Sequence, residues 1–191
     1  EERDLEQTQL VFGVEGLKNI DINRFSLRAL SIILGGGMSS RLFQEIREKK
    51  GLCYSIFSFT QMQNSSGVFG FYAGTSPKDV DYLLESSLTE LKKIKNFISA
   101  EELNRAKAQM KSGFIMGHES NSSRSEYFAK NMINFGKIIG TDETIASIEK
   151  ISVNSIYDLC DKLLTSANPV LSVIGPDANS IKKLDISTML N

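Results

Sequence analysis

Two side chains suited to holding a peptide carbonyl, Arg47 and Tyr54, stand seven positions apart on either side of Gly51. The residues before Gly51 have helical spacing and those after it read as a strand. The glycine therefore marks a helix-to-strand turn that reverses the chain. Such a turn lets a guanidinium and a phenol converge, and both are donors that suit a carbonyl oxygen. The spacing permits this role without requiring it. Arg47 also fits a solvated helix arginine near Glu48, Glu45 or Glu119, and Tyr54 a strand-start aromatic packed on a sheet.

Other chemistries find less support. A zinc site needs three or four His, Cys, Asp or Glu ligands at suitable spacing, and the chain has one histidine and two unpaired cysteines. His118 sits in GHESNSS near a helix end and reads as a helix-terminal surface histidine. It is also the one histidine available to a Ser-His-Asp triad, and no G-x-S-x-G elbow is present. Cys53 and Cys160 lie in apolar surroundings and read as buried free thiols of a reducing compartment. The run Gly35-Gly36-Gly37-Met38-Ser39-Ser40 could form an anion nest. It lacks the lysine of a phosphate loop, and a hinge between helices is the plainer reading.

The elements that must position these residues follow from periodicity. Residues 7–14 alternate, with Leu10, Phe12 and Val14 on one face, and read as a strand. Residues 23–34 have helical spacing and end at the glycine run, where glycine accepts the backbone that closes a helix. Ser39 or Ser40 can cap a short helix reaching Lys49. Residues 54–62 and 68–74 form a hairpin around Asn64-Ser65-Ser66-Gly67. Ser76-Pro77 opens a helix with Val80, Leu83, Leu84, Leu88 and Leu91 in one stripe. Ser99-Ala100-Glu101-Glu102 is a capping box for the next helix. Further helices are read over 122–135, 142–148 and from Ser152, then a strand over 169–174 and a weakly patterned tail over 177–191. This order predicts an α+β fold: one mainly antiparallel sheet with helices on one face.

With 191 residues, 41% apolar and 24% charged, the chain is expected to form a single globular domain over residues 1–191. A net charge of -1 leaves no basic excess for nucleic acid, and no apolar run reaches the ~20 residues of a membrane span. The chain opens Glu1-Glu2-Arg3-Asp4, with no signal-type segment, and the expectation is a domain cut from a longer protein.

The segments TQLVFGVEG, SSRLFQEIREKKGLCYSIFSF, FGFYAGTSP and KSGFIMGHESNSSRSEYFAKN together resemble the C-terminal half of pitrilysin-type (inverzincin) zinc metallopeptidases. That group includes mitochondrial processing peptidase and insulin-degrading enzyme. The second segment is the specific one. The family's H-x-x-E-H motif is absent here. The resemblance implies the C-terminal, non-zinc-binding domain of a two-domain, bacterial processing-peptidase-like metalloendopeptidase. Zn2+ and the catalytic set would be held by the absent half, with no complete catalytic set and no metal site in this chain. It also implies that Arg47 and Tyr54 contact the peptide backbone or the forming oxyanion, and that the peptide adds as a strand to a sheet edge. Its implied partners are the N-terminal zinc-bearing domain or subunit and a peptide substrate, with dimer formation through the docking face as a further expectation. A cytoplasmic bacterial setting is expected, the mitochondrial matrix and periplasm being the other options. Two further readings stay open: a non-catalytic homologue that docks on an active zinc-bearing chain, and a nucleotide binder using the glycine run.

Overall fold

In the computed structural model, which describes residues 1–165, 168–176 and 178, a four-stranded sheet carries the helices. The strands are β1 (Thr8–Glu15), β2 (Cys53–Met62), β3 (Gly67–Thr75) and β4 (Val170–Ile174). The helices are α1 (Arg24–Gly35), α2 (Val80–Asn96), α3 (Ala100–Gly117), α4 (Asn121–Phe135), α5 (Thr141–Glu149) and α6 (Val153–Thr165). A seven-residue π-type helix spans Phe43–Lys49, and a 3₁₀ turn over Pro77–Asp79 leads into α2. The sheet order is β2-β3-β1-β4 with every neighbouring pair antiparallel, as the α+β reading expects. Except for Ala178, the tail read as weakly patterned lies outside the described residues.

The period-two alternation of β1 explains why the sheet has one wet and one dry face. Leu10, Phe12 and Val14 are buried and pair with Ala73, Phe71 and Phe69 of β3. The Phe12 and Phe71 rings stack with centroids 5.1 Å apart. Over them lie the apolar stripes of α1 (Leu27, Leu30, Leu34), α2 (Leu83, Leu84, Leu88) and α6 (Ile156, Leu159, Cys160), all buried in one core. The opposite face exposes Val11, Phe57, Val68, Val170 and Ile174. There Phe57 and Tyr72 touch at 4.9 Å between ring centres.

The glycine run works by close approach. A Cβ on Gly35 would stand 2.4 Å from the Ser58 backbone nitrogen, and one on Gly36 2.5 Å from Ile32 Cα. Helix α1 therefore lies directly on β2, and Gly36 ends it at an ordinary φ of -87°, so this cap is not left-handed. Ser40 donates its hydroxyl to Gly37 O rather than capping, and neither the π-type helix nor the 3₁₀ turn after Ser76 has a side-chain cap. The expected capping box at Ser99 and Glu102 is present with both bonds. Ser152 and Ser155 cap α6 reciprocally at 3.1 Å.

Arg41 joins the α1–β2 connection to that box. Its Nε and Nη2 donate to the two Glu102 oxygens at 2.7 and 3.0 Å, and Nη2 also reaches Phe97 O. Burial alone would raise the Glu102 carboxyl, but the Arg41 and Ser99 hydrogen bonds outweigh it and hold the pKa below 4.5.

Two outcomes follow for stability. Phe71→Ala, which empties a fully buried ring site, should cost about 3–5 kcal/mol in urea unfolding. Because the folded Glu102 pKa is depressed, its contribution is present above its unfolded value and is lost as pH falls through the folded one. The stability gap between the protein and Glu102→Gln should therefore narrow below pH 4.5, read from unfolding midpoints across an acid series.

Candidate functional site

Arg47 lies in the last turn of the π-type helix. The helix buries Ile46 against the core and turns Arg47 outward. Lys50 ends it, and Gly51 takes φ +63°, a conformation a side chain would strain. The Leu52 N–H then donates to Ile46 O at 3.0 Å, which ties the strand start to the helix end. Leu52 fills the core beneath the turn, and its carbonyl accepts the Thr75 hydroxyl.

Tyr54 owes its position to an irregularity the sequence pattern did not reveal. Cys53 pairs with Thr75 and Ser55 with Gly74, so Tyr54 is an extra residue without a partner on β3. In a straight pleat, Tyr54 would share the inward face with Ile56. The bulge breaks that parity and sends the ring outward. Its side of the strand is open, and Tyr54 is 77% exposed.

The structure brings the two residues together. The Arg47 guanidinium carbon lies 5.1 Å from the Tyr54 ring centre and 4.5 Å from that of Phe43. Two aromatic faces thus brace the cation, an arrangement worth about 0.5–1 kcal/mol at an exposed site. The acid nearest to Arg47 is Glu48, whose oxygen is 3.7 Å from Nε and too far for a hydrogen bond. Among the described residues neither the guanidinium nor the Tyr54 hydroxyl has a hydrogen-bond acceptor. Both donors are pre-positioned and available. Phe43 was missed in the sequence; its i, i+4 spacing to Arg47 was the signal.

The remaining candidates separate from this pair. Cys53 is half-buried beside it; desolvation raises its thiol to about 11 although Arg47 pulls the other way. Cys160 is buried in the core, and burial lifts it to about 12. His118 is not the surface residue expected. It is half-buried at the α3 terminus, with its ring 4.1 Å from Phe114 and 4.5 Å from Tyr127, and Nδ1 2.8 Å from Phe114 O. It locks α3 to α4. Among the described residues no three His, Cys, Asp or Glu side chains could share a metal, so a zinc ion does not fit this chain's own described groups.

The thiol environment gives a direct check. A rise from 9.0 to about 11 leaves Cys53 with about 100-fold less thiolate at pH 8 than an ordinary cysteine. Alkylation by iodoacetamide should be slow at both cysteines of the folded chain and return to the free-thiol rate in denaturant.

Comparison with known proteins gives the family and the fold. Residues 1–110 match the Peptidase M16 inactive domain. An uncharacterized zinc protease of Rickettsia felis is 39% identical over 176 residues, spanning 92% of this chain and 42% of its own length. The uncharacterized zinc protease YmxG of Bacillus subtilis is 33% identical over 178 residues, spanning 93% and 43%. Among solved structures, a protease from Helicobacter pylori superposes with a TM-score of 0.83 at 24% identity, over 92% of this chain and 43% of that one. A chain of complex III2 from Candida albicans, solved with Inz-5 bound, gives 0.85 at 22%, over 100% and 47%. These two likenesses show the shared fold. The chain spans less than half the length of the curated relatives it matches. It belongs to the peptidase M16 family, as the family's inactive domain.

Proposed function

We propose that this chain, residues 1–191 as one domain, is the C-terminal, substrate-gripping half of a zinc-dependent metalloendopeptidase of the pitrilysin, processing-peptidase-like type. The observation that carries this reading is the Arg47–Tyr54 pair: two donors without a hydrogen-bond acceptor among the described residues, braced by Phe43 and held outward by a glycine turn and a bulge. Relatives named zinc proteases are about twice as long as this chain, which leaves the zinc and the general base to the other half of the parent. The curated relatives cited are bacterial, and a bacterial cytoplasmic setting belongs to the same reading.

In this reading the Tyr54 hydroxyl and the Arg47 guanidinium donate to the carbonyl oxygen of an extended peptide. Their bonds strengthen as negative charge develops on that oxygen. Fixed donors cost no reorganisation at the moment of reaction, which is why the bracing of Arg47 matters. The bare apolar face around Phe57, Tyr72 and Val11 supplies the surface for the zinc-bearing half.

In the full-length parent, Tyr54→Phe and Arg47→Ala should each lower kcat about 10²–10³-fold, with a much smaller change in KM. Cleavage of a quenched peptide checks this, with unfolding midpoints confirming that the variants stay folded. Unchanged kcat in both variants would return the pair to ordinary structure and favour a non-catalytic partner role.

A further inference from the structure

About 20 Å along β2 from Tyr54, the same strand borders a second feature. A groove lies between α1, the Ser58–Met62 part of β2 and helices α3 to α5. It consists of two adjoining chambers of about 700 and 590 Å³, and Phe25, Arg28, Thr60, Phe114 and Thr144 line both. That is room for a peptide side chain or a short segment.

The charge in this groove is one-sided. Arg24, Arg28 and Lys130 line it, and among the described residues no Asp or Glu does. Two of the three cations are already engaged. Arg24 stacks on Phe25 and Phe135 at 4.5 and 5.0 Å and donates to Asp21 O. Lys130 pairs with Glu126 at 2.6 Å. Arg28 has neither a hydrogen bond nor an ion pair among the described residues. It is open to solvent at the groove mouth, yet crowded enough that desolvation, with help from Arg24, lowers its pKa. A second unsatisfied donor lines the same chamber: Asn131 is 5% exposed, and its Nδ2 has no acceptor among the described residues. Among those residues, a charged fork and a buried amide, both lacking acceptors, face a groove without a single acid.

We propose that this groove is a carboxylate-binding site that takes an acidic side chain of a peptide, with Arg28 as its anchor. A planar guanidinium matches a planar carboxylate with two parallel hydrogen bonds. Asn131 Nδ2, which lines the second chamber, offers an additional donor. The apolar lining, from Phe25, Ile32, Met110, Phe114 and Ile148, suits the methylene stem of glutamate. Free phosphate is a poorer match, because it wants several uncommitted cations or a nest of backbone N–H groups. The site is independent of whether the parent cleaves peptides, and binding is measurable on this chain directly.

The test is calorimetric titration of this chain with an acetylated, amidated hexapeptide carrying two glutamates, its glutamine twin, and inorganic phosphate. The glutamate peptide should bind at least about tenfold more tightly than its twin, a step that corresponds to one charge-assisted pair. Arg28→Gln should abolish that preference and Arg28→Lys should keep only part of it, since the charge remains and the fork is lost. Amide shifts in a ¹⁵N spectrum should move at Thr60 and Asn131 and stay fixed at Tyr54. Because Arg28 is exposed, an unchanged melting temperature is expected and separates lost binding from lost fold. Equal affinity of the twin peptides, an Arg28→Gln protein that binds as before, or phosphate binding as tightly as the glutamate peptide would each overturn the proposal.

Discussion

One-sided burial of the sheet is the constraint on which this domain depends. Four antiparallel strands give two faces, and the sequence supplies apolar cover for one of them. Phe12, Phe69 and Phe71 on that face have essentially no solvent contact, and α1, α2 and α6 lie over them. Each strand must keep its parity, because a slip by one residue would exchange the two faces. The glycines that let α1 rest on β2 serve the same end, since a single added Cβ at Gly35 would push the helix off Ser58. The other face keeps its valines and aromatics in water, which is costly for a lone domain and natural for half of a larger one.

The candidate site is where that regularity is deliberately broken. Helix, turn and strand between Phe43 and Ser55 contain three departures from ideal geometry: π-type winding, a left-handed glycine and a bulge. Each can be traced to a packing demand. Ile46 and Leu52 must both reach the core, and the chain between them has to reverse within a few residues. The consequence is that Arg47 and Tyr54, which flank the reversal, are expelled toward solvent and against each other. Local irregularity of this kind is tolerated because the surrounding core over-determines it. The Arg41–Glu102 pair anchors the other end of the segment, so the site is held from both sides.

Much of this was legible in the residues. The alternation in β1, the hairpin, the Ser99 capping box and the amphipathic stripes all led to the observed elements, because in each the local preference and the tertiary demand agree. The Arg47–Tyr54 pair was legible as a spacing around Gly51, though only the bulge explains why the tyrosine faces outward. A bulge leaves no compositional mark: CYSIF reads as an ordinary alternating strand. His118 was misjudged because its aromatic neighbours, Phe114 and Tyr127, come from two helices whose packing the sequence does not display. The Arg28 groove was invisible for the same reason, being assembled from α1, β2 and three later helices.

The central proposal is that this domain supplies the grip while the other half of the parent supplies the metal chemistry. The most direct test is to produce this chain and the parent's N-terminal half separately and follow cleavage of a quenched basic peptide by each alone and by the mixture. The account predicts that this chain alone is inert, and that the mixture cleaves in a chelator-sensitive way. Chelator-sensitive cleavage by this chain alone, freed of contaminants, would contradict it. So would full activity of the N-terminal half without this chain.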